Sequence, residues 1–438
     1  MADKNTVLII GAGAAGLTAA RELCRKGNKV TILEARNRAG GRIETVQNDT
    51  FSTPTELGAE FIHGDLPSTM RLLKEANISY YPITGKIFQS KQGKFERQDD
   101  FIEDWKMFEK SLKKLKRDIT VSDFLEKYLD EEKHKALKNS VQRFVEGYDA
   151  ADISRASTFA LREEWLSDDD NSQYRVKGGY KKIIDFLANE SLSAGCTIHF
   201  SSVVKTINWE HGKVSIVTSK NEEYTARKVI ITVPLGILQQ NISSPDAIIF
   251  NPEVPKKIKA ARSIGYGSVI KILLQFRTIF WQEDDFKKPA GKNLKDMGFL
   301  FSDATIPTWW TQLPLKSPLL TGWLAGPNSE KYKDSEDKII LDLAIDSLAF
   351  IFMANRDKIK DNLEGWQVAN WLADPFSKGA YAYATLNTNK ARKELVKPVK
   401  NTLFFAGEAL YEGAEIGTAE AAFTSGLNVA EQVLKKRI

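Results

Sequence analysis

A chain of 438 residues exceeds what one hydrophobic core sustains, since single cores stop growing near ~250 residues, and two domains are expected. With 42% hydrophobic and 10% aromatic residues, it is a globular protein with material for a large interior. Its 62 basic and 57 acidic residues are mixed along the chain, so the net charge of +5 argues against nucleic-acid and membrane partners.

The opening MADKNTVLII carries charges and runs into glycines where a leader would carry a long apolar stretch, so no signal peptide is expected. No run of 18 apolar residues occurs, which predicts no membrane span and a soluble, cytoplasmic protein. Cys24 and Cys196, far apart in sequence, suggest neither a disulfide framework nor a metal site, and the four histidines lack ligand spacing.

Val7 to Ile10 is a short apolar run of β type, followed at once by Gly11-Ala12-Gly13-Ala14-Ala15-Gly16 and a helical pattern through Leu17, Ala20, Leu23 and Cys24. This is G-x-G-x-x-G in a strand-turn-helix setting. Gly11 permits the tight turn, Gly13 lets backbone approach a diphosphate, and Gly16 lets helix and strand pack closely. The anion would rest on the helix N-terminus beside Ala14 and Ala15. A second strand, Lys29 to Leu33, ends at Glu34, placed to accept ribose hydroxyls and to disfavour a 2′-phosphate.

The fingerprint alone does not separate NAD from FAD. The segment after it, Ala35 to Arg42, adds Gly40-Gly41 and the arginines Arg36, Arg38 and Arg42, which suits a longer, doubly anionic cofactor. Next comes ELGAEFIHG (56 to 64), with Gly58, Ala59, Glu60 and His63. Phe101, Trp105, Phe108, Leu112 and Leu115 then predict an amphipathic helix whose other face, Lys113, Lys114, Lys116 and Arg117, is solvated. Acids cluster in REEWLSDDD (162 to 170), just before the turn VKGGY (176 to 180).

In IGYGSVIKILLQF (264 to 276), alternation puts Lys271 in mid-strand on the face of Val269 and Leu273. A lysine there is costly to desolvate unless something uses it. The competing reading is a snorkelling or ion-paired lysine at a sheet edge. Trp309, Trp310 and Trp323 follow as candidates for a pocket wall or for ordinary core. WLADPFSKGAYAYA (371 to 384) and LFFAGEAL (403 to 410) precede a last helix that starts after Gly417 and carries Phe423, Leu427, Ala430 and Leu434 on one face.

Taken in order over nearly the whole chain, these blocks resemble the flavin-dependent amine oxidases, the family of monoamine oxidases, polyamine oxidases and lysine-specific histone demethylases, and lie closest to the polyamine oxidase branch. The resemblance implies an α/β, two-domain fold. A Rossmann-like FAD domain (1–65, 176–262 and 395–438) would join an α+β substrate domain of mixed sheet and helices (66–175 and 263–394). It implies FAD held by Gly11, Gly13, Ala14, Ala15, Gly16, Glu34, Ala35, Arg36, Gly41, Arg42, Gly58, Ala59, Glu60, Val204, Pro234, Trp371, Gly407, Glu408, Thr418 and Ala419. Glu408 would meet the ribityl or phosphate region, and the helix beginning near Thr418 and Ala419 would point at the pyrimidine end, stabilising the reduced ring.

Lys271 corresponds to the family lysine that holds a water against flavin N5 and assists reoxidation. Tyr381 matches one side chain flanking the amine and Thr418 the other, provided a loop differs by one residue, so the aromatic sandwich is incomplete. Residue 380 is alanine where covalently flavinylated monoamine oxidases carry a cysteine, which implies non-covalent FAD. His63 falls at the pocket entrance of the animal polyamine oxidases. With Glu60, Asp65 and the 162–170 acids nearby, it favours a polyamine or another primary or secondary amine.

The implied reaction is hydride removal from the carbon bearing the neutral amine, imine hydrolysis to an aldehyde, and reoxidation by O2 with release of H2O2, faster from pH 7 towards 9. No metal is implied, and a monomer or homodimer is expected. Histone substrates are disfavoured by the lack of a helical tower insertion and of an extra N-terminal helical domain. Three other readings compete: an L-amino acid oxidase using Arg71, Arg143 or Arg155 for the carboxylate, a desaturase or porphyrinogen oxidase, and a non-enzymatic flavin-binding partner subunit.

Overall fold

The structure is a computed structural model that describes residues 6–64, 66–91, 93–98, 105–129, 132–166, 172–283, 294–413 and 415–435. Its first sheet is parallel throughout, with Thr197–His199, Lys29–Leu33, Thr6–Ile10, Lys228–Ile231 and Leu403–Phe405 in that order. Both faces of such a sheet must be covered, which explains strands apolar at every position. Val7 and Ile9 face the helices Ala14–Arg25, Lys181–Ser193 and Ala419–Lys435. Leu8 and Ile10 face a four-stranded sheet built from Val204–Glu210, Lys213–Thr218, Glu223–Ala226 and Ile249–Asn251.

The second body is a seven-stranded mixed sheet. Its order is Leu363–Asn370, Val269–Phe276, Leu319–Ala325, Thr308–Trp310, Met297–Ser302, Lys86–Lys91 and Lys94–Gln98, with one parallel pair among antiparallel ones. Helix Asp337–Phe352 seals the face that carries Ile270, Ile272 and Leu274. Four shorter helices, Trp105–Lys113, Val121–Tyr128, Lys135–Gly147 and Thr158–Trp165, pack around Phe108, Phe124 and Val141. The architecture is thus the expected α/β fold with a mixed-sheet second part.

Some details differ from expectation. The amphipathic helix is described from Trp105, and Phe101 lies outside the described residues. It stops at Lys113, so Lys114, Lys116 and Arg117 follow it, while Leu115 is still buried. On the last helix the buried face is Phe423, Gly426, Val429, Ala430 and Val433, which leaves Leu427 and Leu434 only partly covered. Its Glu420 is buried and accepts the Ser68 and Thr69 amides at 2.9 and 2.7 Å, capping helix Pro67–Glu75. The two cysteines are free and buried, and the fold brings their thiols into hydrogen-bond contact. Among the described residues, no helix is long and apolar enough to cross a membrane.

Candidate active site

One cleft of about 2170 Å³ runs from the first sheet to the second. Every residue expected to hold the cofactor lines it except Gly16. Gly11 turns the chain with φ +106°, a conformation glycine adopts freely. Gly16 has no room for a side chain: a Cβ there would lie 2.0 Å from the Gly11 carbonyl. It serves packing, whereas at Gly13 a Cβ would meet no atom of the described residues within 4 Å and would intrude on the cleft.

Among the described residues, no side chain caps helix Ala14–Arg25, so its first amides remain available to an anion. Glu34 Oε2 accepts the Ala12 amide at 2.7 Å and Oε1 the Arg36 amide at 2.8 Å. Each oxygen keeps a lone pair for a ribose hydroxyl. Burial raises the Glu34 carboxyl above its usual range, and those two amides oppose the shift. An uncapped helix start, an unfilled glycine and a bracing carboxylate fit a dinucleotide diphosphate with its ribose.

Past this cradle the arginines divide their work. Arg36 forks onto Asp374 at 2.9 and 2.6 Å and lies over Phe376, tying the first βαβ unit to the 371–384 block. Arg38 pairs with Glu44. Arg42 donates to Glu408 at 2.8 Å and to the Ala380 carbonyl. Glu408, expected to meet the cofactor directly, therefore also carries a cation on its carboxylate. Trp371 Nε1 donates to the Leu57 carbonyl at 3.0 Å, and its ring comes within 3.4 Å of where a Gly58 Cβ would sit.

Lys271 is 1% exposed. Its strand is hydrogen-bonded on both sides, with Lys271 opposite Trp323 and Ala369, so it is not at a sheet edge, although it is ion-paired as that reading allowed. Nζ donates to Glu60 Oε2 at 2.7 Å and to the Gly58 carbonyl at 3.2 Å, and lies 5.5 Å from the Trp310 ring. Glu60 Oε1 receives Arg175 Nε at 3.0 Å and Trp310 Nε1 at 3.1 Å. Burial would raise the Glu60 carboxyl, but Lys271 and Arg175 hold it below its usual range. Glu60 lines the cleft as expected, but its carboxylate is already taken by these donors and is not free for a substrate ammonium. Asp65 lies outside the described residues.

The far end of the cleft gathers Tyr381, Thr418, Trp310, Trp323, Tyr148 and His63. Trp309 does not line it: its ring is wholly buried, with Nε1 donating to the Ile306 carbonyl at 3.0 Å. Tyr381 Oη donates to the Tyr148 carbonyl at 2.5 Å, which fixes its ring. Thr418 Oγ1 accepts the Ala421 amide at 3.2 Å and donates to the Glu415 carbonyl at 2.6 Å. That hydroxyl is spent on starting the last helix, so Thr418 offers the cleft its methyl and backbone. His63 sits 3.4 Å from Tyr148 Oη, packed against the Phe61 and Tyr148 rings. Burial lowers it to about 4, so it is neutral at pH 7.

Two of the acids lining this end touch each other. Asp149, which no sequence motif flags, and Glu164, from the REEW segment, line the wall beside Tyr381 and hydrogen-bond each other. Among the described residues, Asp149 Oδ2 has no hydrogen-bond partner. Burial and then mutual repulsion push the Asp149 carboxyl well above its usual range; burial and then Glu415 raise Glu164. Two carboxyls in contact need a shared proton or a cation. Glu164 lies in the last turn of helix Thr158–Trp165, so this part of the acidic run is a wall and not a solvated loop, while 167–170 lie outside the described residues. Sequence spacing does not pair positions 149 and 164; the helical cluster does.

Residues 14–434 match the family described as "Flavin containing amine oxidoreductase". The chain is 28% identical to Lysine-specific histone demethylase 1 homolog 3 of Arabidopsis thaliana, aligning 93% of itself but only 28% of that protein. It is 25% identical to Polyamine oxidase 4 of Oryza sativa subsp. japonica over 99% of itself and 90% of that protein. Against Lysine-specific histone demethylase 2 of Homo sapiens, 27% identical, it spans about half the relative, 53%. The solved structure of cyclohexylamine oxidase from Brevibacterium oxydans IH-35A shares its fold, with a TM-score of 0.78 at 17% identity over 98% of each chain. Putrescine oxidase bound to putrescine does likewise, with a TM-score of 0.77 at 17% identity over 99% of each chain.

Proposed function

The chain belongs to the flavin containing amine oxidoreductases, and from that we propose that it oxidises a di- or polyamine to an aldehyde, with dioxygen taking the electrons as hydrogen peroxide. Bound FAD supplies the hydride acceptor at N5, and the protein supplies position, field and a dry cavity. The reading assigns 1–65, 176–262 and 395–438 to the cofactor domain and the remainder to the substrate domain. It makes FAD dissociable, because Ala380 offers no thiol to bond it.

The observation that carries this reading is the Asp149–Glu164 pair on the wall that also bears Tyr381. The reacting nitrogen must be neutral to release a hydride from its carbon, whereas a second nitrogen of the same substrate stays charged. A buried acid pair gives that second ammonium a counter-ion and a replacement for the shared proton. Tyr381 and Trp323 form an apolar wall for the reacting carbon, and neutral His63 does not repel the incoming cation.

An L-amino acid would need a cation for its carboxylate. Arg143 is taken by Asp303 at 2.5 Å, Arg71 pairs with Glu75 away from the cleft, and Arg155 does not line it. Anaerobic bleaching of the flavin band near ~450 nm tests the proposal. Diamines and polyamines should bleach it faster than aliphatic monoamines. Bleaching by L-amino acids or methylated lysine peptides alone would refute the reading.

A further inference from the structure

We propose that Glu60 is the positioning residue for Lys271: its carboxylate aims the ammonium, so that the speed of the reduced protein with dioxygen depends on Glu60. The inference rests on the preceding one for the place of Lys271 beside the flavin, and its chemistry is separate from amine recognition. An ammonium has three N–H donors. Glu60 Oε2 and the Gly58 carbonyl take two, at 2.7 and 3.2 Å, and the tetrahedral geometry at Nζ then fixes the direction of the third.

Glu60 is itself held from three sides. Arg175 reaches Oε1 while donating to the Thr311 and Leu313 carbonyls, each at 3.0 Å, and Trp310 donates its indole N–H. Glu60 belongs to the 56–64 segment, Arg175 to Gln173–Val176, and Lys271 and Trp310 to the seven-stranded sheet. The carboxylate thus joins the segment leaving the cofactor cradle to the sheet beneath the far end of the cleft. The three charged side chains sum to one positive charge, in a place where an unpaired lysine would bear the full cost of desolvation.

Reoxidation passes two electrons and the N5 proton of the reduced flavin to dioxygen, and a second proton from solvent completes hydrogen peroxide. Negative charge builds on dioxygen along the way, and a fixed cation stabilises it in proportion to how little it must move. Loss of the Glu60 charge removes the force that holds that cation in place. Oxidation of the amine has no such requirement.

The test uses Glu60→Gln, Lys271→Met and the double variant as purified holoenzymes, reduced with dithionite so that no amine is needed, then mixed with oxygenated buffer. Glu60→Gln should slow the oxygen reaction about tenfold more than it slows amine bleaching, and the double variant should be no slower than Lys271→Met. The melting temperatures of the flavin-free proteins should be non-additive in the same way. Equal slowing of both half-reactions, or additive effects in the double variant, would overturn the proposal. A normal oxygen reaction in Glu60→Gln would do so too. Failure of every amine to bleach the flavin sinks the substrate reading and leaves this measurement intact.

Discussion

Arg42 and Glu408, separated by 366 residues of chain, meet through a 2.8 Å hydrogen bond on the cleft wall. Burial disfavours the Arg42 charge, but Tyr266, then Glu408 and Asp374, hold the guanidinium above its usual range. Glu408 is 6% exposed, so it depends on that cation. Arg42→Ala would leave the carboxylate buried, unpaired and beside an anionic cofactor, and breaking a buried pair costs on the order of 3–5 kcal/mol. FAD affinity by fluorescence titration should fall at least about a hundredfold, and the additional change Glu408→Gln should recover part of the loss.

The acid wall predicts selectivity between substrates. Asp149→Asn or Glu164→Gln removes one negative charge from the place assigned to the distal ammonium. KM for a diamine should rise roughly 10- to 100-fold, as expected for a desolvated ion pair, while KM for a monoamine of equal length changes less than about threefold. Steady-state kinetics on matched mono- and diamines decides this. Equal losses on both would place the second ammonium elsewhere.

His63 gives a pH effect on stability with a definite sign. Its folded value of about 4 lies below its ordinary 6.5, so the unfolded chain takes up a proton between those values that the native protein refuses. Stability contributed by neutral His63 is present above pH 6.5 and lost as pH falls towards 4. Glu56, raised to about 7 by burial, acts oppositely, with stability lost as pH rises from 4.5 to 7. Comparison with His63→Asn cancels the Glu56 contribution. Between pH 6.5 and 4.5, wild type should lose on the order of 1–2 kcal/mol more than the variant in chemical denaturation. Parallel curves would show that the fold does not hold His63 neutral.

The two glycines of the phosphate turn should fail in different ways. Gly16→Ala sets a methyl 2.0 Å from the Gly11 carbonyl, a backbone atom that cannot step aside, and should lower the melting temperature of the flavin-free protein by several degrees. Gly13→Ala meets no atom of the described residues within 4 Å, so the melting temperature should hold while FAD binding weakens at least about tenfold. If both variants lost stability equally, the cleft beside Gly13 would not be the phosphate site.

Covalency is tested by trichloroacetic acid precipitation. Ala380 lines the cleft without a thiol, so the flavin should stay in the supernatant, and a yellow pellet would contradict the assignment.

Much of this site was readable because local chemistry constrains it. The Gly11 turn, the strand ending at Glu34, the mid-strand Lys271 and the turn through Gly178 and Gly179 each depend on neighbours a few residues away, and all lie where their patterns put them. The role of Gly16 followed from helix–strand sterics. The first sheet was legible for the same reason, as strands buried on both faces are written as unbroken apolar runs.

What stayed hidden was pairing between distant segments. Nothing near Glu60 says that Lys271 and Arg175 will claim its carboxylate, and nothing near Asp149 names Glu164 as its neighbour. Thr418 could not be read as a helix cap with its hydroxyl already committed, nor Trp309 be told from Trp310 until strand Thr308–Trp310 turned one ring to the core and the other to the cleft. Periodicity and motif spacing act over a handful of residues, so the amino-acid order was enough for the cradle and the sheet. Which acids meet which cations is set by the packing of elements hundreds of residues apart, where desolvation leaves a buried charge no option except the partner the fold brings to it.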